Sequence, residues 1–154
     1  MAESIDQNSK LYKIRHSLAH ILAQAVMEIR PGTKLGFGPP IDDGFYYDFI
    51  LPEPISSEDF KEIEKKMKHI IKQGQAFERE DLELDQAFNQ IDQMGEPYKK
   101  EYAQDLAEKH GLKNLSFYKN GKFLDMCEGP HVDNTKEIPQ NCFKLKSVAG
   151  AYWR

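Results

Sequence analysis

The sequence predicts an α+β fold with a mostly antiparallel sheet packed with helices. Three observations carry this. Amphipathic helical stretches and strand-like stretches alternate irregularly rather than as regular βαβ units. Asn120-Gly121 stands between two apolar runs and is the strongest hairpin signal in the chain. The 154 residues, 40% apolar and 11% aromatic, provide for one core. Residues 1–9 are expected to form a flexible leader and residues 10–154 a single domain.

The first element is a helix over Lys10–Arg30, with Ser9 as N-cap and Pro31-Gly32 as the stop. Leu11, Ile14, Leu18, Leu22, Ala25 and Ile29 recur at helical spacing as its core stripe. The opposite side carries His16, His20, Ala23 and Met27 with no charge, which predicts a cleft wall or a second packed layer. Thr33–Gly38 and Phe45–Leu51 read as two strands around an Asp43-Gly44 turn. Ser56-Ser57-Glu58-Asp59 caps a second helix, whose stripe is Phe60, Ile63, Met67, Ile70 and Ile71 and whose end is Gly74. A strand over Gln75–Leu84, a short helix from Asp85 to Gly95 and a helix from Tyr98 to His110 follow. Leu115–Lys119 and Lys122–Met126 form the hairpin. Phe143, Leu145 and Ser147 alternate with Lys144 and Lys146 and predict a last strand.

Composition narrows the function. Twenty-one basic against 25 acidic residues give a net charge of -4, a poor basis for coating nucleic acid. No run of about 18 apolar residues is present, so no membrane partner is expected. Two cysteines are too few for a disulfide scaffold, and the first residues lack a signal-peptide pattern. A cytoplasmic location is the expectation. The aromatic ending Ala149–Arg154 suggests a segment of a longer protein.

His16 and His20 stand one turn apart on one helix face. Cys127 and His131 are also four apart, across Gly129-Pro130, at a strand end. Three imidazoles and a thiol are four zinc donors. Two readings follow from the residues: a closed zinc site with ligands His16, His20, Cys127 and His131, or a metal-free pocket whose histidines can move a proton. Asp125 shares a face with Cys127 if the strand continues. Lys99 reads by itself as a solvated lysine. Tyr46 and Tyr47 should point to opposite faces.

Arg15-His16-Ser17-Leu18-Ala19-His20, the stretch Gly38–Asp48, Asp125-Met126-Cys127-Glu128-Gly129-Pro130-His131 and Ala149–Arg154 resemble, in order, the editing domain of bacterial threonyl-tRNA synthetase. The resemblance runs from about residue 12 to the end. Its histidine and cysteine pairs are shared with alanyl-tRNA synthetase, while the segments around Tyr47 and Trp153 look like the threonyl branch. It implies the threonyl/alanyl second additional domain fold and a deacylase that removes serine wrongly esterified to threonine tRNA while sparing threonine. It assigns His16, His20, Lys99, Cys127 and His131 to catalysis and Asp125, Tyr47 and Asp42 to substrate binding. It implies no cofactor for editing, with zinc possible at the four-residue cluster as in the alanyl branch. The implied partners are the 3′ end of the tRNA acceptor and the remainder of the parent synthetase, which carries the ATP-binding ligase core. Lys136–Arg154 holds four basic residues and one acidic, a local +3 that could face that RNA end. An alanyl-type zinc-dependent deacylase and a zinc-stapled, non-catalytic tRNA-binding module are the alternatives.

Overall fold

Ser9 opens helix α1 (Lys10–Ile29), its side chain accepting from the Tyr12 amide at 3.1 Å. The structure is a computed structural model that describes residues 9–36, 38, 40–41 and 43–148. Residues 1–8 of the leader expected over residues 1–9, together with Asp42 and the Ala149–Arg154 motif, lie outside the described residues, while Ser9 belongs to the helix as its cap. α1 spans about 30 Å at 1.5 Å per residue. Ser17–Ile21 and Ala23–Val26 are buried, so its middle is enclosed on every side. Small residues at 17, 19, 23 and 25 let both neighbouring layers approach closely. The core stripe is therefore wider than expected and includes Ile21 and Val26. Leu11, in the first turn, is instead half-exposed among the described residues.

One neighbour is helix α2 (Phe60–Lys72), entered through a short 3₁₀ turn that Ser56 caps. Ile63, Met67, Ile70 and Ile71 form a buried stripe against Leu18, Ile21, Ala25 and Val26. Each such side chain contributes about 1.5–3 kcal/mol on burial. Val132 and Ile138 close this core from the C-terminal segment.

The other neighbour is a three-stranded antiparallel sheet in the order β5 (Glu78–Glu83), β6 (Asn114–Asn120), β7 (Phe123–Met126). Asn120-Gly121 makes the β6–β7 turn, with Gly121 at φ +60°. The register pairs Phe117 with Met126 and Tyr118 with Asp125. Alternation then gives the sheet two distinct faces. Leu115, Phe117 and Met126 pack under helices α3 (Leu84–Met94) and α4 (Pro97–His110). Tyr118, Asn120, Phe123 and Asp125 face α1. The left-handed glycines Gly95 and Gly111 end α3 and α4 where the sequence places stops.

Two expectations need correction. The strands Thr33–Gly38 and Phe45–Leu51 are not one ribbon. They divide into β1 (Lys34–Leu35) paired with β4 (Phe49–Ile50), and β2 (Pro40–Ile41) paired with β3 (Gly44–Phe45). Pro39-Pro40 removes two amide donors in succession, which interrupts a ladder. No strand is assigned over residues 143–148. Phe143 and Leu145 turn inward onto the α1–α2 core, but the Leu145 amide donates to the Glu64 carboxylate at 3.0 Å instead of to a strand. Apolar alternation there reports burial without a ladder.

Candidate active site

Three segments meet where α1 crosses the sheet. α1 brings His16, Ser17 and His20. The end of β7 and the turn after it bring Asp125, Cys127 and His131. The first turn of α4 brings Lys99, past β7 at the sheet edge. A cleft of about 650 Å³ opens there, lined by His16, His20, Tyr47, Lys99, Asp125 and Cys127. His131 is not in the lining. It stands behind Cys127, stacked on the His16 ring (centroids 4.3 Å apart) and the His20 ring (4.8 Å), with Tyr118 edge-on at 4.6 Å.

The first group is a cysteine between two imidazoles. Cys127 Sγ lies 3.1 Å from His16 Nε2 and 3.3 Å from His131 Nε2. The ladder positions Cys127 one residue past β7: its amide donates to Ser116 O at 3.0 Å, and Ser116 Oγ donates to Cys127 O. His16 Nδ1 bonds Pro130 O at 3.1 Å and His131 Nδ1 meets Ser17 Oγ at 3.0 Å. Burial pushes the thiol up to about 12, so it is held as a thiol. Burial first, and then His20, lower His16 to about 4. The same causes, with His16 added, hold His131 well below its ordinary value. These two imidazoles are thus neutral at physiological pH rather than poised near it, because three rings share one desolvated pocket.

The second group centres on Asp125, which is 2% exposed. Tyr47 donates its hydroxyl to Oδ2 at 2.7 Å, and His20 Nε2 lies 3.2 Å from the same oxygen. Lys99 Nζ stands 3.1 Å from Oδ1, an ion pair without hydrogen-bond alignment. Burial raises the carboxyl, but Lys99, His20 and Tyr47 together outweigh it and hold Asp125 at about 2. Tyr47 is pushed well above its usual value, by burial first and then by the Asp125 charge. The Lys99 ammonium also lies 5.4 Å over the Tyr47 ring.

Lys99 therefore departs from the base-rate reading. It is 3% exposed, not solvated. Glu96, one turn earlier and equally buried, accepts from the Leu35 amide at 2.7 Å and ties the start of α4 to β1. That anchor turns Lys99 inward, and no local pattern in Glu96-Pro97-Tyr98-Lys99 announces it. Tyr46 and Tyr47 do diverge, with Tyr46 39% exposed and Tyr47 directed inward. Asp42 lies outside the described residues. Ser17 has no counterpart among the sequence-derived candidates. Its signal was available, since a hydroxyl three residues before His20 shares that helix face.

Donor chemistry tests the zinc expectation. One ligand atom from each of His16, Cys127 and His131 lies within 4.8 Å of the others. Both Nδ1 atoms are held from behind, as ligating imidazoles are. Three donors fit an open metal site. His20 stands outside that group of three, with its Nε2 3.2 Å from Asp125 Oδ2 and its Nδ1 buried without a hydrogen-bond partner.

Residues 115–150 match the family described as the threonyl and alanyl tRNA synthetase second additional domain. The whole chain is 45% identical to threonine–tRNA ligase of Borreliella afzelii over 155 aligned positions and 47% identical to that of Borrelia hermsii over 154. It spans about a quarter (26%) of the length of these relatives. The chain is thus homologous along its full length to a stretch of the threonine–tRNA ligases, and within it residues 115–150 match the second additional domain of the threonyl and alanyl enzymes.

Proposed function

We propose that the cleft is an editing site that hydrolyses serine from the 3′ end of threonine tRNA and spares threonine. The single observation that carries this is the convergence of a neutral imidazole–thiol cluster and a buried lysine–aspartate pair on one cleft. The family resemblance supports the substrate. The need is physical: a synthetic site that holds threonine disfavours serine, one methyl smaller, by only about 1–3 kcal/mol. A second site must then remove the error.

Water is the nucleophile. A thiol kept protonated at about 12 is a poor attacking group, which favours direct hydrolysis over an acyl-cysteine intermediate. His16, fixed through Nδ1 to Pro130, has its Nε2 3.1 Å from Cys127 Sγ in the cleft wall, and once the thiol proton turns away that nitrogen positions the water or takes its proton. The proton leaves on the ribose oxygen as the ester C–O bond breaks. Lys99 offsets negative charge that develops on the carbonyl oxygen. Asp125 holds the substrate, through its amino group, within the set formed by His20, Tyr47 and Lys99. His131 and Cys127 keep His16 in place. The 3′ end of the tRNA and the remainder of the parent synthetase are the partners, with the cytoplasm as the location.

A second reading rests on the three-donor cluster. His16, Cys127 and His131 would hold zinc, which would supply a polarised water, and the preferred substrate would be an alanine tRNA. The test is release of serine from threonine tRNA and from alanine tRNA by the wild-type chain and by His16→Ala, with and without chelator. The proposal expects chelator-resistant release from threonine tRNA that His16→Ala slows about a hundredfold. Release confined to alanine tRNA, or abolished by chelator, would favour the second reading. Absence of release from both would leave a binding module.

A further inference from the structure

Ser17 has no place in the reaction described above, yet it is 0% exposed and sits on α1 between the two cleft histidines. Its Oγ lies 3.1 Å from the Val132 amide and 3.0 Å from His131 Nδ1. The amide is a donor, so Oγ accepts there. The hydroxyl proton then requires an acceptor, and a buried proton without one costs about 1–3 kcal/mol. Among the described contacts His131 Nδ1 is that acceptor. A neutral His131 whose Nδ1 accepts carries its proton on Nε2, directed at Cys127 Sγ 3.3 Å away.

The same assignment follows from the opposite end. Pro130 O can only accept, so His16 holds its proton on Nδ1 and its Nε2 is bare. The Cys127 thiol then donates to His16 Nε2 at 3.1 Å. The sulfur accepts from His131 Nε2 and from the Gly129 amide at 3.3 Å. His131 Nδ1 is left bare, which requires Ser17 to donate. Two backbone groups fixed in character, the Val132 amide and the Pro130 carbonyl, thus impose one direction on every bond between them.

We propose that Ser17 is a positioning residue that locks His131 in its Nε2–H tautomer and so orients the chain Ser17→His131→Cys127→His16→Pro130, keeping His16 Nε2 as the unprotonated nitrogen that accepts from the thiol. The tautomer assignment rests on hydrogen-bond geometry. Its catalytic consequence rests on the editing reading.

The test is long-range ¹H–¹⁵N correlation of the histidine rings in the chelator-treated, ¹⁵N-labelled chain, near neutral pH. The expected wild-type result is His131 protonated on Nε2 and His16 on Nδ1. Ser17→Ala moves His131 toward the Nδ1–H form and Ser17→Thr, which keeps the hydroxyl, returns it. Ser-tRNA deacylation falls about tenfold to a hundredfold in Ser17→Ala, in kcat rather than KM, and recovers in Ser17→Thr, the scale found for groups that orient metal-ligating imidazoles. A wild-type His131 protonated on Nδ1 overturns the proposal whether or not the alanine variant folds. So does a folded Ser17→Ala chain that keeps the Nε2–H form. A tautomer that responds as expected in a chain that cleaves no ester upholds Ser17's role and removes the editing reading instead.

Discussion

Lys99→Met removes one charge from a buried pair and leaves most of the apolar stem in place. Lys99 Nζ and Asp125 Oδ1 are 3.1 Å apart, with the residues 3% and 2% exposed. At an effective dielectric of about 20, the attraction is about 5 kcal/mol. The variant escapes the cost of desolvating the ammonium but strands a buried carboxylate, so the expected loss of stability is about 3–5 kcal/mol. The pH dependence gives an independent check. Asp125 is held at about 2 against an ordinary 3.8, which corresponds to roughly 2 kcal/mol near neutral pH. This smaller figure is net of the carboxylate's own desolvation. Because the folded value is depressed, that stabilisation is present above pH 3.8 and is lost as pH falls through about 2. In Lys99→Met, burial dominates and the acid-induced loss begins at higher pH. Urea unfolding at pH 7 and along a descending pH series measures both effects. The double variant Lys99→Met/Asp125→Asn, which leaves no stranded charge, should be more stable than Lys99→Met alone. A single-variant loss below 1 kcal/mol, or a double variant whose loss equals the sum of the two singles, would refute the buried-pair account.

Three further outcomes follow from the same geometry. His16 is lowered from 6.5 to about 4, so the unfolded chain binds more protons between those values. Stability should therefore be full above pH 6.5 and fall by about 3 kcal/mol as pH drops to 4, a limb that His16→Gln flattens in thermal or urea unfolding. Native alkylation at pH 8 should label exposed Cys142 and spare Cys127, with both labelled in denaturant; mass spectrometry of the two peptides decides, and rapid native labelling of Cys127 would contradict its thiol state. Gly129→Ala should cost at least 1–3 kcal/mol, because Gly129 has φ +72° and an added Cβ would run into the Tyr118 hydroxyl. A neutral effect on the urea midpoint would show that the turn can shift without loss.

Much of the scaffold is legible in the sequence because its cues are local. Ser9, Asn120-Gly121, Gly95 and Gly111 each set a boundary by their own chemistry. The i, i+4 histidines point to one face because helix geometry leaves no other choice. What escapes local reading depends on distant partners. Lys99 is turned inward by Glu96 bonding to β1, 61 residues earlier. His20 turns to Asp125, 105 residues away, rather than to Cys127 and His131, and nothing near it in the sequence announces that partner. The residues 143–148 look like a strand because alternation records burial, while strand formation requires a neighbouring backbone. Serine in a helix is ordinary in sequence, and only the buried contacts of Ser17 with His131 and Val132 single it out.

The most direct measurement is the rate at which the chain releases serine and threonine from the same threonine tRNA. Serine release should be at least about tenfold faster than threonine release, with both slowed by His16→Ala. Equal rates for the two amino acids, or serine release unaffected by His16→Ala, would contradict it.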